Sequence, residues 1–225
     1  MATKEHDPLT LMLTCRDVKK SLAFYRDTLG FEIEASWPDD KNPMWANLMM
    51  GRQGIMIGAS MSPEDAGKMC GGDAAAAQVM TKLAEEYQKN RPGVGVVIYV
   101  AVPDVDAYHA DLGKKGLKNL PAPQTQFYGI RDFTTEDPDG YRLTFYTTVT
   151  MTSCQSCGMP MKDAKPGELY CAYCQDERGK LRPFEQILEG TTTGYFMAMQ
   201  KMPREKAEKA AREHLAKMPA WHGRA

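Results

Sequence analysis

The chain has no apolar run long enough to cross a bilayer. Its longest such stretches, residues 96–102 among them, are strand-sized, far short of the ~20 residues that a spanning helix needs. It also lacks an apolar leader, because residues 1–8 are polar and charged, so the expectation is a cytoplasmic protein. Neither charge is in excess: Lys and Arg number 28, Asp and Glu 29, which gives no global attraction to nucleic acid or to an anionic membrane. Residues 1–150 are slightly acidic and residues 151–225 slightly basic, an asymmetry that suits a solvated helical surface. Six cysteines in 225 residues do not suggest a disulfide scaffold. Four of them stand in two close pairs, and in a reducing compartment such pairing points to metal.

What is present is an ordinary globular composition, 43% hydrophobic and 25% charged, enough for a real core. The first 150 residues carry one pattern twice. Leu11, Leu13 and Cys15 alternate with Thr10, Met12 and Thr14, as a half-buried strand requires. Asp17 caps a helix in which Val18, Leu22, Tyr25 and Leu29 recur at helical spacing, and Gly30 ends it. Residues 31–37, 45–50 and 55–59 read as three strands. In the second copy Val96, Ile98, Val100 and Val102 form one face of a strand, and Asp104 opens a helix to about residue 115. Residues 117–120, 127–135 and 141–147 read as three more strands, with Asp137-Pro138-Asp139-Gly140 as a turn. Strand–helix–strand–strand–strand thus occurs twice, which predicts an α+β fold of two βαβββ modules. Between the copies, Asp73 caps a helix bearing Val79, Met80, Leu83 and Tyr87; residues 62–91 read as a surface insertion, with a lid over a binding site as the alternative. Cys70 and His109 are given no role.

These motifs resemble the vicinal oxygen chelate superfamily, which includes glyoxalases, extradiol dioxygenases and bleomycin-resistance proteins. The resemblance is carried by residues 17–31, with Asp17-Val18 at one end and Leu29-Gly30-Phe31 at the other. Val102-Pro103-Asp104-Val105-Asp106-Ala107 and Glu136-Asp137-Pro138-Asp139-Gly140-Tyr141 complete it, over about residues 8–148. It implies two curled four-stranded halves forming an open barrel around a cavity, a fold that hosts many activities. Metal-dependent members take their ligands from the first and last strands of each half, positions that fall here on Thr10, Gly58, Val97 and Thr144. None supplies the imidazole or carboxylate that a divalent ion needs there. The implied domain is therefore metal-free, which argues against glyoxalase, dioxygenase or epimerase chemistry. Like the bleomycin-resistance-type members, it is expected to bind a small organic molecule unchanged, as a homodimer. Ligand-binding candidates are Thr10, Met12, Trp45, Tyr99, Tyr128, Arg142, Thr144 and Tyr146, with Thr14, Trp37, Val97 and Phe127 on or beside the same faces. Core filling is the alternative for Met12 and Val97. Arg131 or Arg142 suits an anionic ligand group.

The second domain, residues 151–225, opens on Cys154-Gln155-Ser156-Cys157-Gly158 and continues to Cys171-Ala172-Tyr173-Cys174. Two residues between thiolates let each pair converge on one ion, and two pairs supply the tetrahedral sulfur shell of a structural Zn2+, one per chain. Iron accepts the same shell. Residues 158–170 are enough for a ribbon of two short strands turned at Pro166-Gly167. The segment resembles a zinc-ribbon family that begins Cys-x-x-Cys-Gly-Met-Pro and continues Tyr-Cys-x-Tyr-Cys. Beyond it, Phe184, Ile187 and Leu188 suggest a helical turn, and residues 194–202 and 203–217 two helices. The last of these carries Ala207, Ala210, Ala211, Leu215 and Met218 on one stripe, for packing on the ribbon or the first domain. Its mixed-sign outer face disfavours nucleic acid and leaves room for a protein partner.

Three functional readings follow. The leading one is a small-molecule-binding protein with a structural zinc ribbon. A metal-free lyase or isomerase using Tyr99, Tyr146 or Arg142 is the second. The third is a ligand-sensing regulator that docks a partner through the ribbon.

Overall fold

The structure is a computed structural model that describes residues 9–68 and 72–223; Cys70 lies outside them. Strands β1 (Leu11–Cys15), β2 (Glu32–Trp37), β3 (Trp45–Met50) and β4 (Gln53–Ala59) form a four-stranded sheet in the order β1-β4-β3-β2. β1 runs parallel to β4, and β3 is antiparallel to both its neighbours. β5 (Val97–Ala101), β6 (Gln124–Thr125), β7 (Ile130–Glu136) and β8 (Arg142–Thr148) repeat the order as β5-β8-β7-β6. Helices α1 (Val18–Ala23) and α4 (Val105–Lys114) each follow the first strand of a sheet. The chain is thus α+β and built of two βαβββ modules, as its periodicities predict.

Side-chain alternation decides which face of the first sheet is core. Leu13, Cys15, Ala46, Leu48, Ile55 and Ile57 are buried and share the face on which α1 packs against β4. Asp17 caps α1 by accepting the Lys20 N–H at 2.9 Å. The helix then widens into a π-helical turn, Phe24–Thr28, in which the Leu29 N–H reaches the Phe24 carbonyl. That turn brings Tyr25 inward, with no exposed surface. Gly30, at φ +80°, ends the segment, a conformation that a Cβ would oppose.

Three expectations fail locally. Residues 117–120 are not a strand; Asn119 takes a positive φ, and Pro121 and Pro123 lack the N–H that a ladder requires. The second strand of that module is instead the two-residue β6. The strand expected from residue 127 starts at Ile130, because Gly129 turns the chain at φ +87°. The ribbon strands shrink to isolated bridges, Ser153 with Pro160 and Gln175 with Leu181, beside tight turns in which the Gly158 N–H bonds the Cys154 carbonyl and the Cys174 N–H the Cys171 carbonyl.

The insertion forms α2 (Pro63–Lys68) and α3 (Ala74–Lys89), and Asp73 caps α3 through the Ala75 and Ala76 N–H groups. Tyr87 ties α3 to β1 by donating its hydroxyl to the Thr14 carbonyl at 2.8 Å.

Two compact units emerge. Among the described residues, one comprises those up to Ala101 together with Asp106–Ala122 and Phe133–Phe145; the other holds Val102–Val105, Pro123–Asp132 and those from Tyr146 on. The second contains α5 (Phe184–Gly190), which runs straight on into a π-helical stretch, Thr191–Met197, and α6 (Arg204–Leu215). Its core gathers Cys154, Cys171, Cys174, Ile187, Leu188, Ala211, Leu215 and Trp221. The α6 stripe therefore packs on the cysteines. Among the described residues, no helix is long and apolar enough to cross a membrane.

Candidate functional site

The Asp137-Pro138-Asp139-Gly140 turn is fully committed to holding the two modules together. Asp137 Oδ1 accepts the backbone N–H groups of Asp139, Gly140 and Tyr141 at 2.8–2.9 Å. Its Oδ2 accepts the Tyr25 hydroxyl at 3.0 Å. Asp139 accepts the Ser21 hydroxyl and the Arg16 N–H, both at 2.9 Å. Burial raises the Asp137 pKa against the hydrogen bonds it accepts, which lower it; burial, reinforced by the charge and hydrogen bond of Asp137, pushes the Tyr25 phenol far above its usual range. These carboxylates have few lone pairs left for a substrate or an ion.

The other face of the first sheet is a different surface. Register places Thr14, Gly58, Trp45 and Trp37 in one row across the strands, and Met12, Met56 and Asn47 in the next. Met12 is 52% exposed and Trp37 60%, so this apolar face is open. A Cβ on Gly58 would lie 2.5 Å from the Met12 methyl; Met12 lies across bare backbone there.

The sequence candidates lie on several elements. Met12 and Trp45 share the open face just described. Tyr99 lines a cavity of about 200 Å³ with Phe31, Met50, Ile55, Ile98 and Leu143. Thr144 is buried, and its hydroxyl bonds that of Thr134 at 2.8 Å. Arg142 faces Glu136 across 3.6 Å. Tyr128 stands in the β6–β7 turn, edge-on to Phe127 at 5.1 Å. Thr10 is exposed just before β1, and Tyr146 is half-buried on β8. Val97, on β5, is exposed.

The cysteines do converge. The sulfurs of Cys154, Cys157, Cys171 and Cys174 all lie within 4.8 Å of one another, the one group of three or more His, Cys, Asp or Glu found placed for an ion among the described residues. Cys157 Sγ is 3.7 Å from Cys171 Sγ, close to the ~3.8 Å edge of a tetrahedron with zinc–sulfur bonds of about 2.3 Å. The Cys171 N–H points at Cys154 Sγ at 3.3 Å. Hydrogen bonds from the Cys157 and Cys174 thiols lower the Cys154 pKa, and the same bond to Cys154 raises that of Cys157. Four sulfurs this close cannot all ionise unless a cation joins them. The donor set fits a metal with a closed sulfur shell.

The first knuckle is latched from the C-terminal side. Trp221 Nε1 donates to the Ser156 carbonyl at 3.0 Å, the Ala220 N–H to the Gln155 carbonyl at 3.1 Å, and His214 Nε2 lies 2.9 Å from the Cys157 carbonyl. Sequence reasoning missed Trp221 and His214, since a lone aromatic beyond a helix carries no spacing signal. It also missed Asn47 and Glu34, whose side chains bond across β3 and β2.

A zinc ribbon domain model matches residues 153–222. Several solved structures are similar in fold. One is a glyoxalase/bleomycin resistance protein/dioxygenase from Nocardioides, 15% identical over 75% of this chain and 92% of that one, with a TM-score of 0.47. Another is the antibiotic binding protein TnmS3 from Streptomyces sp. CB03234, 18% identical over 64% and 99% of the two chains, at 0.43. A third is a bleomycin resistance determinant encoded on the transposon Tn5, 18% identical over 64% and 98%, at 0.42. No curated protein matches the chain. The family model described as Glyoxalase/Bleomycin resistance protein/Dioxygenase superfamily matches residues 8–145, more than half of the sequence, and the chain belongs to that superfamily.

Proposed function

We propose that residues 1–150 bind a small organic molecule without a metal, and that residues 151–225 are organised by one structural Zn2+ held by Cys154, Cys157, Cys171 and Cys174. The observation that carries this reading is the separation of donor atoms. Four sulfurs meet in the second segment. The positions where metal-dependent relatives would place ligands hold hydroxyl, hydrogen and methyl groups at Thr10, Gly58, Val97 and Thr144. An apolar, aromatic open face with Met12 and Trp45 suits a ligand held by contact and a few polar groups. The zinc, when bound, supplies folding energy, and its closed shell has no position for substrate. The family's usual arrangement supports a homodimer as the working unit, and the paired thiols suit a reducing, cytoplasmic setting.

Elemental analysis and native mass spectrometry of the full chain test the reading. One zinc per chain is expected, lost in Cys154→Ser and Cys174→Ser, with an organic adduct retained on the native dimer. A second metal that survives both substitutions overturns the metal-free assignment.

A further inference from the structure

The bulge in β2 has a chemical consequence on the open sheet face. Ile33 pairs with Leu48, but Ala35, not Glu34, pairs with Asn47. Glu34 is thus the extra residue, and a bulge redirects a side chain that regular pairing would place elsewhere. Its carboxylate accepts from Asn47 Nδ2 at 2.6 Å. A carboxylate only accepts, so this bond fixes which way the Asn47 amide is turned. Asn47 Oδ1 is left buried with no hydrogen-bond partner.

That oxygen sits beside a glycine floor. A Cβ on Gly54 would lie 3.5 Å from Asn47 Oδ1 and 2.6 Å from Met49 Sδ, so Met49 lies flat over the Gly54 backbone, next to the orphaned acceptor. Met49 faces Gly54 directly across the β3–β4 ladder, and Asn47 faces Met56 two positions on. Trp45 flanks the same face one step further along β3. A buried acceptor without a donor is unfavourable by itself, and methionine is the side chain that most readily vacates such a place.

We infer that Asn47 is a recognition group for a planar aromatic molecule bearing a ring N–H, which lies on the Gly54–Gly58 floor in the place of Met49 and donates to Asn47 Oδ1. The inference rests on the small-molecule reading above and names the ligand class. Glu34 is the positioning residue, because it holds the amide so that oxygen, not nitrogen, meets the ligand. Trp45 and the methionines supply the apolar walls.

Two probes of one shape test it: indole, with a ring N–H, and benzofuran, with oxygen at that position. Binding is followed on the full, zinc-loaded chain by amide chemical shifts. Indole is expected to shift the Asn47 side-chain amide, Met49 and Trp45, and to bind about fivefold tighter than benzofuran, the worth of one buried hydrogen bond. Asn47→Leu should abolish that preference, and Glu34→Gln should reduce it, because a neutral partner lets the amide turn over. The two-probe comparison on the unaltered chain stands even where a variant does not fold. Equal binding of both probes to this face overturns the role of Asn47 and leaves the small-molecule reading intact. No shift at Met12, Trp45 or Met49 with either probe overturns both.

Discussion

Tyr25 and Asp137, 112 positions apart, meet through a 3.0 Å hydrogen bond in which the phenol donates to the carboxylate. The bond joins the first helix of one module to the last turn of the other. It shows what two distant motifs of this sequence do together: they form one polar clasp inside an apolar layer. Tyr25→Phe keeps the ring's packing and strips Asp137 Oδ2 of its donor. It should lower the unfolding free energy by about 1–3 kcal/mol, the range for leaving one buried partner unsatisfied. Urea unfolding measures it. A double-mutant cycle with Asp137→Asn should give non-additive losses, since the two residues touch; simple additivity would mean that the bond contributes nothing of its own.

Asp137 also sets a pH dependence. Burial raises its pKa above the ordinary 3.8, so the folded state holds the proton more tightly than the unfolded chain does. Its contribution to stability is fully present below pH about 4 and is lost as pH rises through the folded-state value. Asn at this position cannot ionise. The stability difference between Asp137→Asn and the unaltered chain should therefore move in favour of the variant across that window and then level off. A difference that stays flat from acid to neutral pH would rule out burial as the dominant influence.

Much of this was legible in the sequence. Alternation of Leu11, Leu13 and Cys15, the Asp17 cap and the Gly30 stop give β1 and α1 nearly residue by residue, because those signals are local. The cysteine pairs are legible for the same reason: two-residue spacing nearly dictates convergence. Residues 117–135 misled, since apolar letters there compete with Pro121, Pro123 and Gly129, and backbone donors outrank side-chain pattern. The role of Glu34 was invisible, because a bulge is decided by pairing across strands and not by the strand's own residues. Which candidate ligand residues share a face is likewise set by strand order. Met12 and Trp45 share a face because their strands lie in order β1-β4-β3, which no periodicity encodes.

Removal of the metal should unfold one segment selectively. The core of the second unit is built from Cys154, Cys171 and Cys174 with Ile187, Leu188, Leu215 and Trp221, so losing the ion removes the centre on which α5 and α6 pack. The chain has three tryptophans, and their indole N–H resonances serve as reporters. On treatment with a strong chelator the Trp221 signal should collapse to its unfolded position, while those of Trp37 and Trp45 stay near their native shifts. Loss of all three together would make the zinc a requirement for the whole chain. Trp221→Ala, which deletes a buried ring and its bond to the Ser156 carbonyl, should destabilise the same segment by about 3–5 kcal/mol even with zinc in excess.

Two glycine substitutions in that segment should act in opposite directions. Gly158 closes the first knuckle at φ +75°, and an added Cβ would approach Met218 Sδ at 3.3 Å and the His214 ring at 3.6 Å. Its N–H also closes the turn onto the Cys154 carbonyl at 2.8 Å, so the chain cannot relax there without moving a sulfur. Gly158→Ala should destabilise by about 1–2 kcal/mol, the penalty for an L residue held in left-handed backbone, and should speed the transfer of zinc to a competing chelator. Gly190 ends α5 at φ −62°, ψ −40° and has nothing within 4 Å of where its Cβ would stand. Gly190→Ala should therefore stabilise by about 0.5–1 kcal/mol, the gain from restricting the unfolded chain where the helix already accepts a side chain, and leave the rate of zinc transfer unchanged. Thermal unfolding of the zinc-loaded variants reads both signs. A stabilising Gly158→Ala would mean that the knuckle does not hold the turn described, and with it the convergence of the four sulfurs would need another explanation.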